Sequence, residues 1–265
     1  MGHLGARRIP VPGTRFEIRW VSETGSTNDD LLVEAERGAP EGLALAADVQ
    51  TAGRGRLGRR WESPRGASLL ISVLLRPGVH VSHGFALVAA SALAMRGAVR
   101  EVCEVEVDVK WPNDLVVRAS RGGGWRKLGG ILAESVTADE RLDALVVGTG
   151  VNCNWQGFVP DELADVAISL DALCGGEVDR ELLAVTYLTE LERLLIRAAQ
   201  TDLGEVTKSW KEASVTIGRD VVVDLGAGRS IRGVAEDVDD LGRLRVRSDD
   251  GVLHEVAVGD VVHLR

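Results

Sequence analysis

Gly53-Arg54-Gly55-Arg56-Leu57-Gly58-Arg59-Arg60-Trp61 packs four arginines, three glycines and a tryptophan into nine positions of a chain whose net charge is −9. Glycines at every second or third position let the backbone take φ > 0 and approach a ligand closely. The arginines between them present planar donors suited to phosphate and carboxylate oxygens, and Trp61 offers a flat face for an aromatic base. The pattern fits a site for an adenylate-like anion. Two other readings compete. Residues 53–58 also spell G-x-G-x-x-G, but the dinucleotide fingerprint needs a helix directly after the turn. Here Arg59 to Gly66 follow, with Pro64 among them, and then the strand-like Ser68–Leu75. The third reading is a solvated basic loop or a phosphate-tracking nucleic-acid patch. The acidic whole argues against a general nucleic-acid binder.

Working outward, Phe16-Glu17-Ile18-Arg19-Trp20-Val21 alternates as a strand does, and residues 1–14 read as a loose lead-in. Ser26-Thr27-Asn28 are all good N-cap types and Asp29 and Asp30 suit a helix start, so a helix is expected to Gly38. The same hydroxyls and free backbone N–H groups could instead hold a polar ligand. Leu43–Val49 and residues 68–76 read as strands, and Phe85–Val102 as a buried helix. Val105–Lys110 is a strand entering Lys110-Trp111-Pro112-Asn113-Asp114-Leu115, a turn that returns as a second strand and so makes a hairpin. Gly122-Gly123-Gly124 reads as a flexible connection. Strands ending at glycines follow at 127–134 and 142–152. Helical spacing covers 161–173, Arg180–Ala199 and about 203–212. From Val215 five short strands (221–225, 231–238, 244–246, 252–256 and 261–264) alternate with Asp/Gly turns, the texture of a small barrel.

Hydrophobic residues make up 45% of 265 residues, an ordinary soluble composition with room for one large core and a small appendage. The three cysteines, Cys103, Cys153 and Cys174, share no metal or redox spacing, so reduced structural thiols are expected. Met1 to Thr14 carries no apolar run of the kind an export signal needs, and no apolar stretch reaches membrane-spanning length. A cytoplasmic protein follows. His80, His83, His254 and His263 fall outside every motif and read as surface or packing residues.

Ser26-Thr27-Asn28, Gln50, GRGRLGR at 53–59 with Trp61, KWPNDL at 110–115, KLGGILAE at 127–134 and GTGVN at 148–152 occur in that order. Together they closely resemble the biotin–protein ligases, over roughly residues 16–265. The resemblance implies an α+β fold: a catalytic domain like that of the class II aminoacyl-tRNA synthetases, a mixed sheet with flanking helices, followed by an SH3-like small β-barrel. The implied boundaries are 1–15 for the lead-in, 16–213 for the catalytic domain and 214–265 for the barrel. It also implies the activity: biotin and ATP give biotinyl-5′-AMP and pyrophosphate, and biotin then passes to a lysine of a biotin carboxyl carrier domain. Magnesium is expected with ATP, its protein ligands unknown, and no tightly bound prosthetic group.

Carried over by position, the resemblance places Ser26, Thr27, Asn28, Gln50, Gly53, Arg54, Gly55, Arg56, Lys127 and Gly129 around biotin. Arg56, Arg59, Trp61, Lys110, Asn113, Asp114, Lys127 and Asn152 fall to the nucleotide. Lys127, Arg54 and Arg56 are the catalytic candidates, since two anions must be held in contact while the carboxylate attacks the α-phosphorus. Plainer roles stand beside these: Lys110 and Asp114 pairing within their hairpin, Trp61 as a packing residue, Asn152 as a strand terminator. Gly129 departs from the family, where Ala is common, and the Arg- and Gly-rich 118–126 connection is long. About fifteen residues precede the first strand, too few for the DNA-binding module of some relatives, so the monofunctional form is implied, a monomer or weak homodimer with no operator and no membrane partner. A lipoate or octanoate ligase is the rival enzyme, and a biotin-responsive DNA-binding regulator the rival outside enzymes.

Overall fold

Consecutive residues of a strand face opposite sides of a sheet, and the central strands of this chain bury both sides. The computed structural model describes residues 6–119, 124–155, 163, 165–226, 228–257 and 259–263. Its large sheet is built from β1 (Arg7–Pro10), β2 (Glu17–Val21), β3 (Leu43–Ala47), β4 (Ser68–Leu75), β5 (Asp108–Lys110), β6 (Asp114–Arg118), β7 (Trp125–Ala138) and β8 (Arg141–Asn152). The strand order is β1-β2-β3-β4-β8-β7-β6-β5. β2 and β3 run parallel and the other neighbours antiparallel, so the sheet is mixed, as expected.

Ala44 and Ala46, Leu69, Ile71 and Val73, and Leu145 and Val147 point to one face. There α2 (Gly84–Cys103), α4 (Arg180–Gln200) and α5 (Leu203–Glu212) pack with their apolar sides. Leu43, Leu45, Ala47, Leu74, Ala144 and Val146 point to the other, under Leu31 and Ala35 of α1 (Thr27–Glu36). The Ser26 hydroxyl caps α1 by accepting from the Asp29 N–H at 3.4 Å. A short helix, α3 (Leu170–Cys174), precedes α4.

The C-terminal strands β9 (Asp220–Gly226), β10 (Arg229–Val238), β11 (Leu244–Ser248), β12 (Leu253–Val256) and β13 (Asp260–His263) form a second, antiparallel sheet in the order β12-β11-β10-β9-β13. Asp239 closes the first expected turn, its carboxylate accepting from the Leu241 and Arg243 N–H groups at 3.0 and 2.9 Å. The inner residues Val221, Val223, Val246 and Val261 belong to the same apolar cluster as α2 and α4. Trp111 reaches across as well, its indole N–H donating to Gly242 O at 2.9 Å and its backbone N–H to Thr216 Oγ1 at 3.1 Å.

Three readings of the sequence change. Residues 7–10 are not loose: Arg7–Pro10 pairs antiparallel with β2 and buries Ile9, a short edge strand too small to show a period. β5 starts at Asp108, not Val105, because α2 runs on to Cys103 and turns at a left-handed Glu104. In the 161–173 stretch the helix is Leu170–Cys174; residues 161, 162 and 164 lie outside the described residues, as do 120–123 of the glycine-rich connection and Leu264 of the last expected strand. The three cysteines are free, as read. Cys153 is buried, and burial pushes its thiol up to about 12. No helix among the described residues is long and apolar enough to cross a membrane.

Candidate functional site

The cavity exists because the face under α1 runs out of side chains. Along β8 the residues on that face are Ala144, Val146, Gly148 and Gly150; the first two fill the core and the last two leave bare backbone. β7 places Gly130 opposite Gly150 and Leu132 opposite Gly148. What remains is a cleft of about 380 Å³, within the usual size of small-molecule sites. A Cβ on Gly148 would overlap Asn28 Oδ1, and one on Gly150 would stand 2.8 Å from the Trp61 ring. The glycines therefore make room for neighbours already in place.

One end of the cleft is lined with amide and hydroxyl groups. The Thr27 N–H and hydroxyl donate to Gln50 Oε1 at 2.7 and 2.9 Å. Thr27 Oγ1 and Ser72 Oγ are 2.7 Å apart, and Ser72 donates to Asn28 Oδ1 at 2.6 Å. Asn28 Nδ2 donates to Leu132 O and to Glu134. Ser26, Thr27 and Asn28 are each less than 5% exposed. A rigid row of this kind can read the polar edge of a neutral ring, since every buried group already has a fixed partner.

The other end is cationic. The arginine loop is a tight hairpin: the Trp61 N–H donates to Gly53 O at 3.0 Å and the Gly55 N–H to Arg59 O at 2.8 Å. Its tip carries Leu57 and Gly58 with φ of 57° and 73°, a left-handed pair that is unusual for leucine. Arg56 and Lys110 are partly buried, and desolvation lowers both pKa values despite nearby Asp260 and Asp114. Lys127 Nζ pairs with Asp114 at 2.6 Å and lies 5.7 Å from the centroid of the Trp61 ring. Arg59 pairs with Asp260 of β13. That bond, ahead of the attraction of Arg56 and Lys127, holds the Asp260 carboxyl below the usual carboxylate range. The Trp61 indole nitrogen is buried and has no partner.

Of the residues singled out in the sequence, Ser26, Thr27, Asn28, Gln50, Arg54, Gly55, Arg56, Arg59, Trp61, Lys110, Asn113, Asp114 and Lys127 border this one cleft. Asn113 is fixed by donating to Ile131 O at 2.6 Å. Gly53, Gly129 and Asn152 do not border it. Gly53 lies under the loop, where a Cβ would stand 2.5 Å from Trp61 O; Gly129 sits in the sheet with a Cβ site 2.5 Å from Gly150 O. Asn152 is buried and donates to Ile168 O at 3.0 Å. Lys110 and Asp114 do sit opposite each other in their hairpin and attract, but the close ion pair of Asp114 is with Lys127, which follows the β6–β7 register shift between Leu115 and Val116. Asp260 borders the cleft too. It lies about two hundred residues from its partner Arg59, and nothing in its local sequence marks it. Gly148 and Gly150 sit inside a quoted motif; strand parity is the signal that would have singled them out.

Residues 21–152 match the biotin/lipoate A/B protein ligase family and residues 216–264 the biotin protein ligase C-terminal domain. A biotin–[acetyl-CoA-carboxylase] ligase of Mycobacterium tuberculosis is 38% identical over 250 residues, 92% of this chain and 88% of that protein. The chain belongs to the biotin protein ligase family. A second member, the bifunctional ligase/repressor BirA of Bacillus subtilis, is 30% identical over 94% of this chain and 79% of that protein. Among solved members, the biotin protein ligase of Aquifex aeolicus in complex with biotin and ATP aligns with a TM-score of 0.74 and 29% identity, covering 94% of this chain and 98% of that one. The mixed sheet followed by a C-terminal antiparallel sheet is thus the biotin protein ligase fold.

Proposed function

We propose that the protein joins biotin to AMP in this cleft and transfers biotin to a lysine of a biotin carboxyl carrier domain. In the first step a biotin carboxylate oxygen bonds to the α-phosphorus of ATP and the bond to pyrophosphate breaks. In the second the carrier lysine amine attacks the acyl carbon and AMP leaves. The observation that carries the reading is the division of one cleft into a neutral hydrogen-bonding end, from Thr27 to Asn28, and a cationic end holding Arg56, Lys110 and Lys127, with Arg54 held beside Asn28 by Glu134. Biotin's ureido ring suits the first and the reacting carboxylate and phosphate suit the second.

Lys127, Arg54 and Arg56 act by position and charge, offsetting the repulsion between carboxylate and phosphate. The desolvation that lowers the Arg56 and Lys110 pKa values also strengthens their attraction for a phosphate brought into the cleft. Trp61 and Asn113 face the nucleotide, and Lys110 and Asp114 order its end, Asp114 by holding Lys127. Gly53, Gly129 and Asn152 support the walls. The arginine loop covers the mixed anhydride against water. Magnesium would enter on the phosphate oxygens of ATP, since it keeps several waters and needs few carboxylates. The two working parts divide at 213/214, residues 16–213 with β1 added at 7–10 and residues 214–265, in the cytoplasm.

Biotin-dependent exchange of labelled pyrophosphate into ATP tests the first step, with lipoate in the parallel arm. Exchange with biotin alone is expected, and Lys127→Ala should slow it by about 3 kcal/mol, roughly a hundredfold. Exchange driven by lipoate and not by biotin would overturn the reading.

A further inference from the structure

Arg54 is anchored from two sides. Its Nη2 donates to Glu134 Oε2 at 2.6 Å and also to Asp29 in the first turn of α1. The same Glu134 oxygen accepts from Asn28 Nδ2 at 2.9 Å. Asn28 is 4% exposed and accepts from Ser72 Oγ, which in turn lies 2.7 Å from Thr27 Oγ1. One carboxylate on β7 thus links the arginine loop to the row of groups at the neutral end. An exposed ion pair alone would contribute little, but the Glu134 side chain is only 25% exposed and also satisfies a buried amide. The Asn28 amide is held at both ends, its Oδ1 by Ser72 and its Nδ2 by Leu132 O at 3.2 Å and, more closely, by Glu134.

We infer that Glu134 is a positioning residue for adenylation: it sets where Arg54 stands over the cleft and which way the Asn28 amide faces. The inference rests on the biotin-adenylating reading of the site. Its consequence is that loop placement and recognition at the neutral end are not independent. Anything that rotates Asn28 moves the Arg54 anchor, and releasing Arg54 leaves Asn28 with a negative partner that no cation balances from the loop.

Two variants separate the two halves of the role. Glu134→Gln keeps an oxygen for Asn28 and removes the charge that holds Arg54; Glu134→Ala removes both. Biotinyl-AMP formed by each full-length enzyme is followed for its escape into solution, and KM and kcat of pyrophosphate exchange are measured with biotin varied. Glu134→Gln is expected to raise the escape rate two- to fivefold, roughly the worth of a partly exposed ion pair, with a smaller change in KM for biotin. Glu134→Ala is expected to raise both, KM by about two- to fivefold, since the Asn28 amide loses the nearer of its two acceptors and keeps Leu132 O. In an Arg54→Ala background Glu134→Gln should add no further escape. Trypsin cleavage after Arg54 should be faster in both single variants.

Parental escape and KM in both variants would overturn the inference. So would an effect of Glu134→Gln that is as large without Arg54 as with it. If Glu134→Ala does not fold, Glu134→Gln and Asp29→Asn carry the escape measurement, since both leave the Asn28 acceptor in place. Absence of biotin-dependent exchange in the parent enzyme would instead refute the adenylation reading, a separate result.

Discussion

Gly148→Ala adds one methyl group where the structure has no room for it. The new Cβ would overlap Asn28 Oδ1 and stand 3.0 Å from Asn28 Cγ and 3.2 Å from Ser72 Oγ. Both neighbours are buried, Ser72 completely, so Asn28 must swing away and break its bonds with Ser72, Leu132 and Glu134. Each buried group left without a partner costs about 1–3 kcal/mol. Loss of glycine's freedom in the unfolded chain returns about 0.4–1 kcal/mol. The net is a loss near 2 kcal/mol, or roughly 4–8 °C in Tm for a chain of this size. Biotin affinity should fall at least about tenfold, because the row that faces the ring is broken. Titration calorimetry with biotin and a thermal melt read the two effects. Gly97→Ala is the control: it lies in α2 with the Glu190 side chain, held by Arg193, as its nearest neighbour at 3.3 Å, and a change of less than about 1 kcal/mol is expected as helix propensity offsets the contact. Unchanged biotin affinity in Gly148→Ala, with a folded protein, would refute the account of the cleft as space created by missing side chains.

Three further outcomes follow from the cationic end. Lys110 is held with a pKa below its ordinary value by desolvation. It therefore weakens the folded state wherever the unfolded chain would carry the charge, and the penalty fades as pH approaches the unfolded value near 10.4. Lys110→Met should raise Tm at pH 7 by an amount worth about 1 kcal/mol, a gain that shrinks toward pH 10, while KM for ATP rises. Asp260, depressed by Arg59, contributes stability above the unfolded carboxylate value that is lost as pH falls through the lower folded one. The Tm difference between parent and Asp260→Asn, worth under about 1 kcal/mol for so exposed a pair, should therefore close between about pH 5 and pH 2. Arg56→Gly should still form biotinyl-AMP but release it faster, seen as free adenylate in a spin-column assay; parental retention would remove Arg56 from the cover over the intermediate.

What the sequence reveals and hides follows from how local each signal is. The Ser26 cap, the 203–212 helix and the C-terminal strand rhythm are set by neighbours within a few residues, and each lies close to where the pattern placed it. Most candidate residues converge because the arginine loop, the Trp111 turn and the glycine strands all border the same cleft on the α1 side of the sheet. Asp260, and the role of Glu134 within the quoted 127–134 motif, stay hidden for the opposite reason. Their importance comes from partners 201 and 80 residues away, and an isolated acid carries no mark of such a pairing. The Lys127–Asp114 pair depends on a register shift between β6 and β7, and no pattern of apolar and polar residues encodes a single-residue bulge. Arg7–Pro10 is ordered by its partner strand and not by its own periodicity.

The shared interior of the two sheets has a practical corollary. Valines of β9, β11 and β13 sit in the same oily mass as α2 and α4, and the Trp111 indole is pinned to Gly242 across the junction. Such an arrangement couples the two sheets through packing. Calorimetry should record a single melting peak, and clipping the chain near residue 214 would strip the lid from a large greasy face while taking Asp260 away from the nucleotide end. The last fifty residues are then less an accessory than the second half of one cooperative body, and a ligand seated in the cleft should tighten both halves together.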